Sequence, residues 1–455
     1  MRALRAILLA ALATGCSEAP PPRLLLVITV DTLRADALGA YGSERGLTPH
    51  LDALAAESVV FDAAYAAAPL TLPSLATLFT GRWPEELDVR SNESALPEAV
   101  PTLAGELRER GWRTGAVVSN FVLNASSGLA RGFERYDDAL PRREAVRRWP
   151  ERSARDATDA AIALLDGCTG LRCFVWVHYQ DPHGPYDPPP GWRERELARA
   201  TQEGDGARQL PVGADHAGRG AIPAYQFLAG RRDVAYYRAG YRGEVAYVDA
   251  EIGRLLAELA RRGLGERTLV VFAADHGEAL GERDLWFAHG EWLGDEQVRV
   301  PLFLRVPGRA PARRRDVASL ADLRPTLLAQ LLGLPPDPAR PGRDLLAPGA
   351  ESRESRPYVA TWVAAEGPRR ALVASGHKLV VSERPGGEEV LLYGLGREGE
   401  ELGAAEPELA RSLHAELDAL RAGLAAPEAS PARALSEAER ERLDALGYGH
   451  GPAAE

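Results

Sequence analysis

Leu24-Leu-Leu-Val-Ile-Thr-Val30 is the stretch that decides the fold of this chain. Seven β-favouring residues without alternation make a strand buried on both faces, as in parallel sheets covered by helices. The run ends in Asp31, a carboxylate set where the strand stops. Working outward, similar runs recur at 114–119, 173–178, 268–274 and 300–306, with helical patterns between them at 48–57, 73–79, 102–110, 154–165 and 234–262. Strand–helix alternation over about 300 residues predicts an α/β fold, a doubly wound and mostly parallel sheet. Ligands of such sheets gather at the carboxyl ends of the strands.

Residues 23–350 would form this main domain. From 351 to 425 short β segments (370–375, 378–382, 389–393) and a helix (408–423) predict a small C-terminal sheet packed on it. An Ala/Pro/Glu-rich tail, 426–455, reads as loosely held. Residues 184–232 are rich in Pro, Gly and Arg without clean periodicity, and suit a pocket-lining lid or a tolerated surface insertion equally. There are no internal repeats.

The first 22 residues read as a leader and linker. Arg2 and Arg5 precede an apolar run, 6–13, too short to span a bilayer, and Ala13-Thr14-Gly15-Cys16 follows. Small residues before a cysteine resemble a bacterial lipoprotein cleavage site with Cys16 lipidated; plain signal cleavage is the alternative. Either predicts an exported protein, periplasmic or membrane-anchored, touching a membrane only through that lipid. Cys168 and Cys173 remain. In an oxidising compartment they can close a local disulfide, and two buried thiols fit as well.

A net charge of −11 excludes a general nucleic-acid binder, which needs a basic face. An anionic substrate is still compatible, because a metal ion can make one pocket positive. Of the 54 basic residues only Lys378 is a lysine.

The strand ends carry the chemistry. Asp31 follows the first run, Asp275 and His276 follow 268–274, and His178 ends the run 173–178 and leads to His183. His289 lies in Phe-Ala-His-Gly, thirteen residues beyond His276. Carboxylates with imidazoles suit zinc or manganese, whereas oxygen-only sets suit calcium. Singly these residues are ordinary helix caps or structural histidines; four of nine histidines on strand-end loops is harder to dismiss.

Thr71-Leu-Pro-Ser-Leu-Ala-Thr-Leu-Phe-Thr-Gly81 resembles the sulfatase signature, a Cys or Ser, any residue, then Pro-Ser-Arg, closing on Leu-Thr-Gly. Asp31-Thr-Leu-Arg-Ala-Asp36, Thr48-Pro-His-Leu-Asp52, Gly111-Trp-Arg-Thr-Gly115, Asp275-His-Gly-Glu278, Val300-Pro-Leu-Phe-Leu304, 321–326 and 443–448 continue the likeness in order. The chain therefore resembles the sulfatase family of the alkaline-phosphatase superfamily over most of 24–350. The resemblance implies a metal-dependent ester hydrolase with Thr71 at the nucleophile's place. Asp31, Thr71, Asp275 and His276 would hold one or two divalent ions, with zinc or manganese favoured and calcium the alternative.

Three departures redirect the expected chemistry. Sulfatases oxidise the first signature residue to formylglycine, which Thr71, with its β-methyl group, cannot become. Leu75 replaces the signature arginine. The lysines that hold sulfate are missing, and Val118-Ser-Asn-Phe121 lies where one Lys/His pair would be. Threonine is the nucleophile in sister branches, the nucleotide pyrophosphatase/phosphodiesterases, phosphoethanolamine transferases and lipoteichoic-acid synthases. By likeness to the transferases, His183 and His289 would bind the phosphoryl group or a second metal and protonate the leaving group, with His178 as a further substrate contact or a structural partner. The expectation is a hydrolase of phosphate mono- or diesters. Sulfate-ester hydrolysis without formylglycine is the alternative, and a non-catalytic lipoprotein that binds anionic glycans is the third reading.

Overall fold

The computed structural model describes residues 22–143, 150–202, 208–213, 217–352, 355–363, 366–397, 399–425, 433 and 435–445. Cys16 and the other leader residues up to 21 lie outside them. The main sheet contains β1 (Leu24–Val30), β2 (Val59–Phe61), β3 (Arg113–Val118), β4 (Arg135–Asp137), β5 (Cys173–Tyr179), β6 (Thr268–Ala274), β7 (Leu302–Arg305) and β8 (Ala312–Arg314). Around it pack α1 (Pro49–Ala56), α2 (Thr71–Thr80), α3 (Leu103–Glu109), α4 (Ala154–Leu165), α5 (Trp192–Gln202), α6 (Val234–Arg261), α7 (Asp295–Val298) and α8 (Leu323–Leu332).

In space the strands run β8-β2-β7-β6-β1-β5-β3-β4. Only β7 opposes its neighbours; the other pairings are parallel. Every residue of β1, β5 and β6 is buried, as the unalternated apolar runs require. In register, Val30 stands opposite both Tyr179 and Ala274. Asp31 and Asp275 consequently leave the sheet at one level, side by side.

Helix α2 is buried along its whole length. It is apolar on most sides, as a helix inside a protein must be. Phe79 sets its edge on Trp176 of β5 at 4.6 Å between ring centroids, which fixes the helix over the sheet. Gly81 ends it at φ 65°, the left-handed cap that glycine adopts without steric cost.

The excursion 184–232 holds a helix, α5, that packs along α6. Isolated bridges tie the excursion back on itself and to Leu285. The C-terminal sheet comprises β9 (Tyr358–Val363), β10 (Gly367–Ala374), β11 (His377–Arg384) and β12 (Gly387–Gly394), all antiparallel, with α9 (Pro407–Ala422) against it. Its first strand precedes the three segments legible in the sequence. Lys378 is buried in the seam with the main domain, its Nζ 2.9 Å from Asp295 Oδ1.

Of the tail, α10 (Glu437–Ala445) and two residues before it differ from a loose segment. Arg433, Leu435 and Leu443 are buried, the two leucines within the main core. Three anchors scattered in an Ala/Pro/Glu-rich stretch leave no periodic signal. Cys168 and Cys173 are joined as a disulfide. Among the described residues no helix is long and apolar enough to cross a membrane.

Candidate metal centre and nucleophile

Asp31 and Asp275 arrive from adjacent parallel strands and His276 follows at once, so the sheet itself assembles the centre. The three side chains are fully buried, and one ligand atom from each lies within 4.8 Å of the others. His276 Nδ1 donates to the carbonyl of Gly277 at 2.9 Å, which places the ring hydrogen there. Its Nε2 is thereby a lone-pair donor, 3.7 Å from both Asp31 Oδ1 and Asp275 Oδ2. Those two carboxylate oxygens are buried and without a hydrogen-bond partner among the described residues. Two orphaned carboxylate oxygens and one imidazole nitrogen converging in a dry site fit a divalent ion, and the mixed donor set suits zinc or manganese.

The remaining carboxylate oxygens are held by neighbours. Asp275 Oδ1 accepts from the amides of His276 at 2.7 Å and Thr32 at 3.3 Å. Thr32 takes φ 53°, an unusual conformation for a β-branched residue, and its carbonyl accepts from Tyr241. Asp31 Oδ2 accepts from Asn120 Nδ2, a residue of the stretch 118–121.

Burial alone would push the Asp31 carboxyl up, but His183, the contact with His178 and His276 outweigh it and hold it low. Burial and the like charge of Asp31 push Asp275 well up. Two carboxylates this close share one negative charge unless a cation joins them. Burial lowers His183, lowers His276 to about 3, and lowers His289 to about 4.

Thr71 opens α2, buried, with Oγ1 3.5 Å from His276 Nε2. The hydroxyl thus faces the orphaned donors from the positive end of a helix dipole. Asn92 Oδ1 accepts from the Leu72 amide at 2.9 Å and so fixes the first turn. Ser74, the other hydroxyl of the Thr71–Gly81 segment, donates to the Asp275 carbonyl at 2.6 Å, a structural contact. Leu75 is buried where the signature has arginine.

The expected histidines divide. His183 and His289 stand with ring centroids 5.1 Å apart, and His289 is 4.5 Å from His276. His183 donates Nδ1–H to Gly184 O at 2.7 Å. His289 Nδ1 meets Glu278 Oε1 at 3.0 Å, and burial pushes Glu278 up to about 7. His178 lies behind Asp31, its Nδ1 bonded to Thr29 Oγ1 at 2.9 Å and its Nε2 3.6 Å from Asp31 Oδ2. That geometry sets the His178 ring against the Asp31 carboxylate from the sheet side, the place of a structural partner. Lys378, paired with Asp295, is not part of the centre.

Five contributors escaped the sequence reading. Asn92 and Asn120 sit on loops with no pattern of their own. Glu278 was inside a quoted motif without a role. Tyr225 and Gln226, from the excursion, both donate to Phe287 O, and the Tyr225 ring lies 6.4 Å from His183. This part of the excursion therefore lines the site.

Comparison with known proteins agrees with the geometry. The family model described as Sulfatase matches residues 23–334. A choline-sulfatase from Rhizobium meliloti is 28% identical over 392 residues, covering 77% of this chain and 76% of that one. A steryl-sulfatase from Mus musculus is 30% identical over 431 residues, covering 75% and 67%. Among solved structures, a phosphonate monoester hydrolase from Silicibacter pomeroyi superposes with a TM-score of 0.70 at 20% identity, over 90% of this chain and 99% of the other. The chain belongs to the sulfatase family and is an ester hydrolase of the alkaline-phosphatase superfamily.

Proposed function

We propose that this hydrolase cleaves phosphorus esters, mono- or diesters, through Thr71, with Asp31, Asp275 and His276 holding a divalent zinc or manganese ion. The observation that carries the reading is Thr71 Oγ1 at 3.5 Å from His276 Nε2, facing the two orphaned carboxylate oxygens. Such an ion supplies a lowered hydroxyl pKa and neutralises charge on the transferring group. The rest follows from the chain's own residues. A threonine cannot form formylglycine, so its own oxygen attacks, making a phospho-threonine that water then cleaves. Asn92, by capping Leu72, and Ser74, by holding the Asp275 carbonyl, keep Thr71 against the centre.

His289 suits the general acid better than His183. A carboxyl and an imidazole in contact can pass one proton between them, so Glu278 returns a proton to Nδ1 as Nε2–H goes to the leaving oxygen. His183, with Nδ1–H committed to Gly184 O, offers Nε2 as an acceptor. Export, with lipidation of Cys16 or plain cleavage, is part of the proposal. The disulfide supports it, because such bonds persist in oxidising compartments. A mature N-terminus found intact at Met1 by mass spectrometry would remove that part.

Sulfate-ester hydrolysis by the same threonine is the second reading, favoured by the sulfatases among the curated relatives. The test is a rate comparison on aryl phosphate monoesters, phosphate diesters and sulfate esters with zinc, manganese and calcium. Phosphorus esters should lead; faster sulfate cleavage reverses the order. Thr71→Ala should lose about a thousandfold or more in kcat while keeping its metal and its melting temperature. Near-normal turnover in that variant eliminates Thr71 as nucleophile.

A further inference from the structure

The search beyond the metal centre leads to the tail. Arg433 is 8% exposed; the oxygens that accept its hydrogen bonds are uncharged, and the carboxylates of Glu439 and Glu93 lie near enough to act on its charge. Nη1 donates to the carbonyls of Asn92 at 3.0 Å and Val122 at 3.1 Å, Nη2 to Asn124 Oδ1 at 2.7 Å, and Nε to Ser126 Oγ at 2.8 Å. One guanidinium thus bridges two loops far apart in sequence. A planar fork of five N–H donors can do this; a lysine cannot.

Both loops reach the reacting centre. Asn92, whose carbonyl Arg433 holds, is the residue whose side chain caps the helix that begins at Thr71. On the other loop, the amide of Val122 donates to Asn120 Oδ1 at 3.0 Å, and Asn120 Nδ2 donates to Asp31. Arg433 holds the carbonyl of that same Val122. Leu435 and Leu443, buried in the main core, hold this strap in place.

We propose that Arg433 is a positioning residue: the C-terminal strap locks the loops that set Thr71 and Asp31 against each other. Its bearing on catalysis rests on the reading of those two residues as the reacting centre. The lock itself does not. Without the guanidinium, the Asn92 and Val122 carbonyls lose a shared donor, and the two asparagines gain freedom exactly where the nucleophile and the metal ligand need none.

Full-length Arg433→Ala and Arg433→Lys proteins are compared with the unsubstituted chain by amide hydrogen exchange and by kinetics on the aryl ester turned over fastest. Peptides covering 88–96 and 118–128 should exchange about tenfold faster in both variants, with α6 unchanged. The kcat should fall about tenfold with KM little altered, and methylguanidinium should restore part of it in Arg433→Ala alone. Unchanged exchange in the two loops overturns the proposal. So does equal acceleration in α6, which would mean general stability. If Arg433→Ala does not fold, Arg433→Lys, which loses the planar fork but keeps the charge and the stem, is read alone; protected loops there overturn the lock equally. Faster loop exchange with an active Thr71→Ala protein would leave the strap standing and reject the assignment of the nucleophile.

Discussion

Glu278 and His289 show how much one contact between side chains can decide. At 3.0 Å from Nδ1, the carboxyl sets which ring nitrogen faces the cleft with a proton. Glu278→Gln keeps the shape and removes the acid that returns the proton. Its kcat should fall about a hundredfold. The loss should be steeper for aryl esters with poorer leaving groups, read from the leaving-group dependence of kcat. An unchanged slope would show that the pair plays no part in protonating the departing oxygen. Asp31, Asp275, His276 and Thr71 were legible because strand ends and a dense motif mark them. Asn92 and Asn120 were not, since an asparagine on a loop looks like any turn residue until its partner is known. Glu278 lay in view, but its role depends on His289, eleven residues further on.

At the scale of elements, the loop after β6 must pass very close to α7. A Cβ on Gly277 would fall 2.2 Å from the backbone oxygen of Glu296, and the Gly277 amide donates to Gln297 O at 2.7 Å. Backbone cannot yield there as a side chain could. Gly277→Ala should therefore push His276 off the centre and weaken metal binding about tenfold or more, measured by titrating metal-stripped protein. Binding of unchanged strength would mean the loop accommodates the methyl group. Strands and helices of the main sheet were readable because burial on both faces forces long apolar runs, as in β1 and β6. Helix α5 was missed for the opposite reason: Trp192-Arg-Glu-Arg-Glu196 is mostly charge, and only packing along α6 makes it a helix. Strand β9 was missed because it is completed by its neighbour β10 rather than by its own pattern.

Across the whole molecule, the centre is where separate parts converge: β1 and β6, helix α2, the excursion at Tyr225, and α7, which Lys378 ties to the C-terminal sheet. Removing the metal should therefore be felt as stability. An ion present at a hundred times its dissociation constant contributes about 2.7 kcal/mol to the folded state. The metal-stripped protein should melt lower, and zinc or manganese should restore both melting temperature and turnover. The pH dependence has a definite sign. Between pH 4 and 6.5 the buried histidines, held low, favour folding as pH rises, whether by His276 or His289. Above about pH 6.5 they are neutral in both states and fall silent. There Asp275, pushed well up by burial and by Asp31, holds its proton more tightly in the metal-free fold than in the unfolded chain. A group raised on folding loses its contribution as pH rises, at up to about 1.4 kcal/mol per pH unit. A bound metal would keep Asp275 ionised and so remove this loss; Glu278 is pushed up to about 7 by burial in the metal-free fold. The gap in stability between metal-bound and metal-stripped protein should consequently widen from pH 6.5 to 8.5 in denaturant titrations. A gap that stays constant over that range would mean the ion does not sit between Asp31 and Asp275.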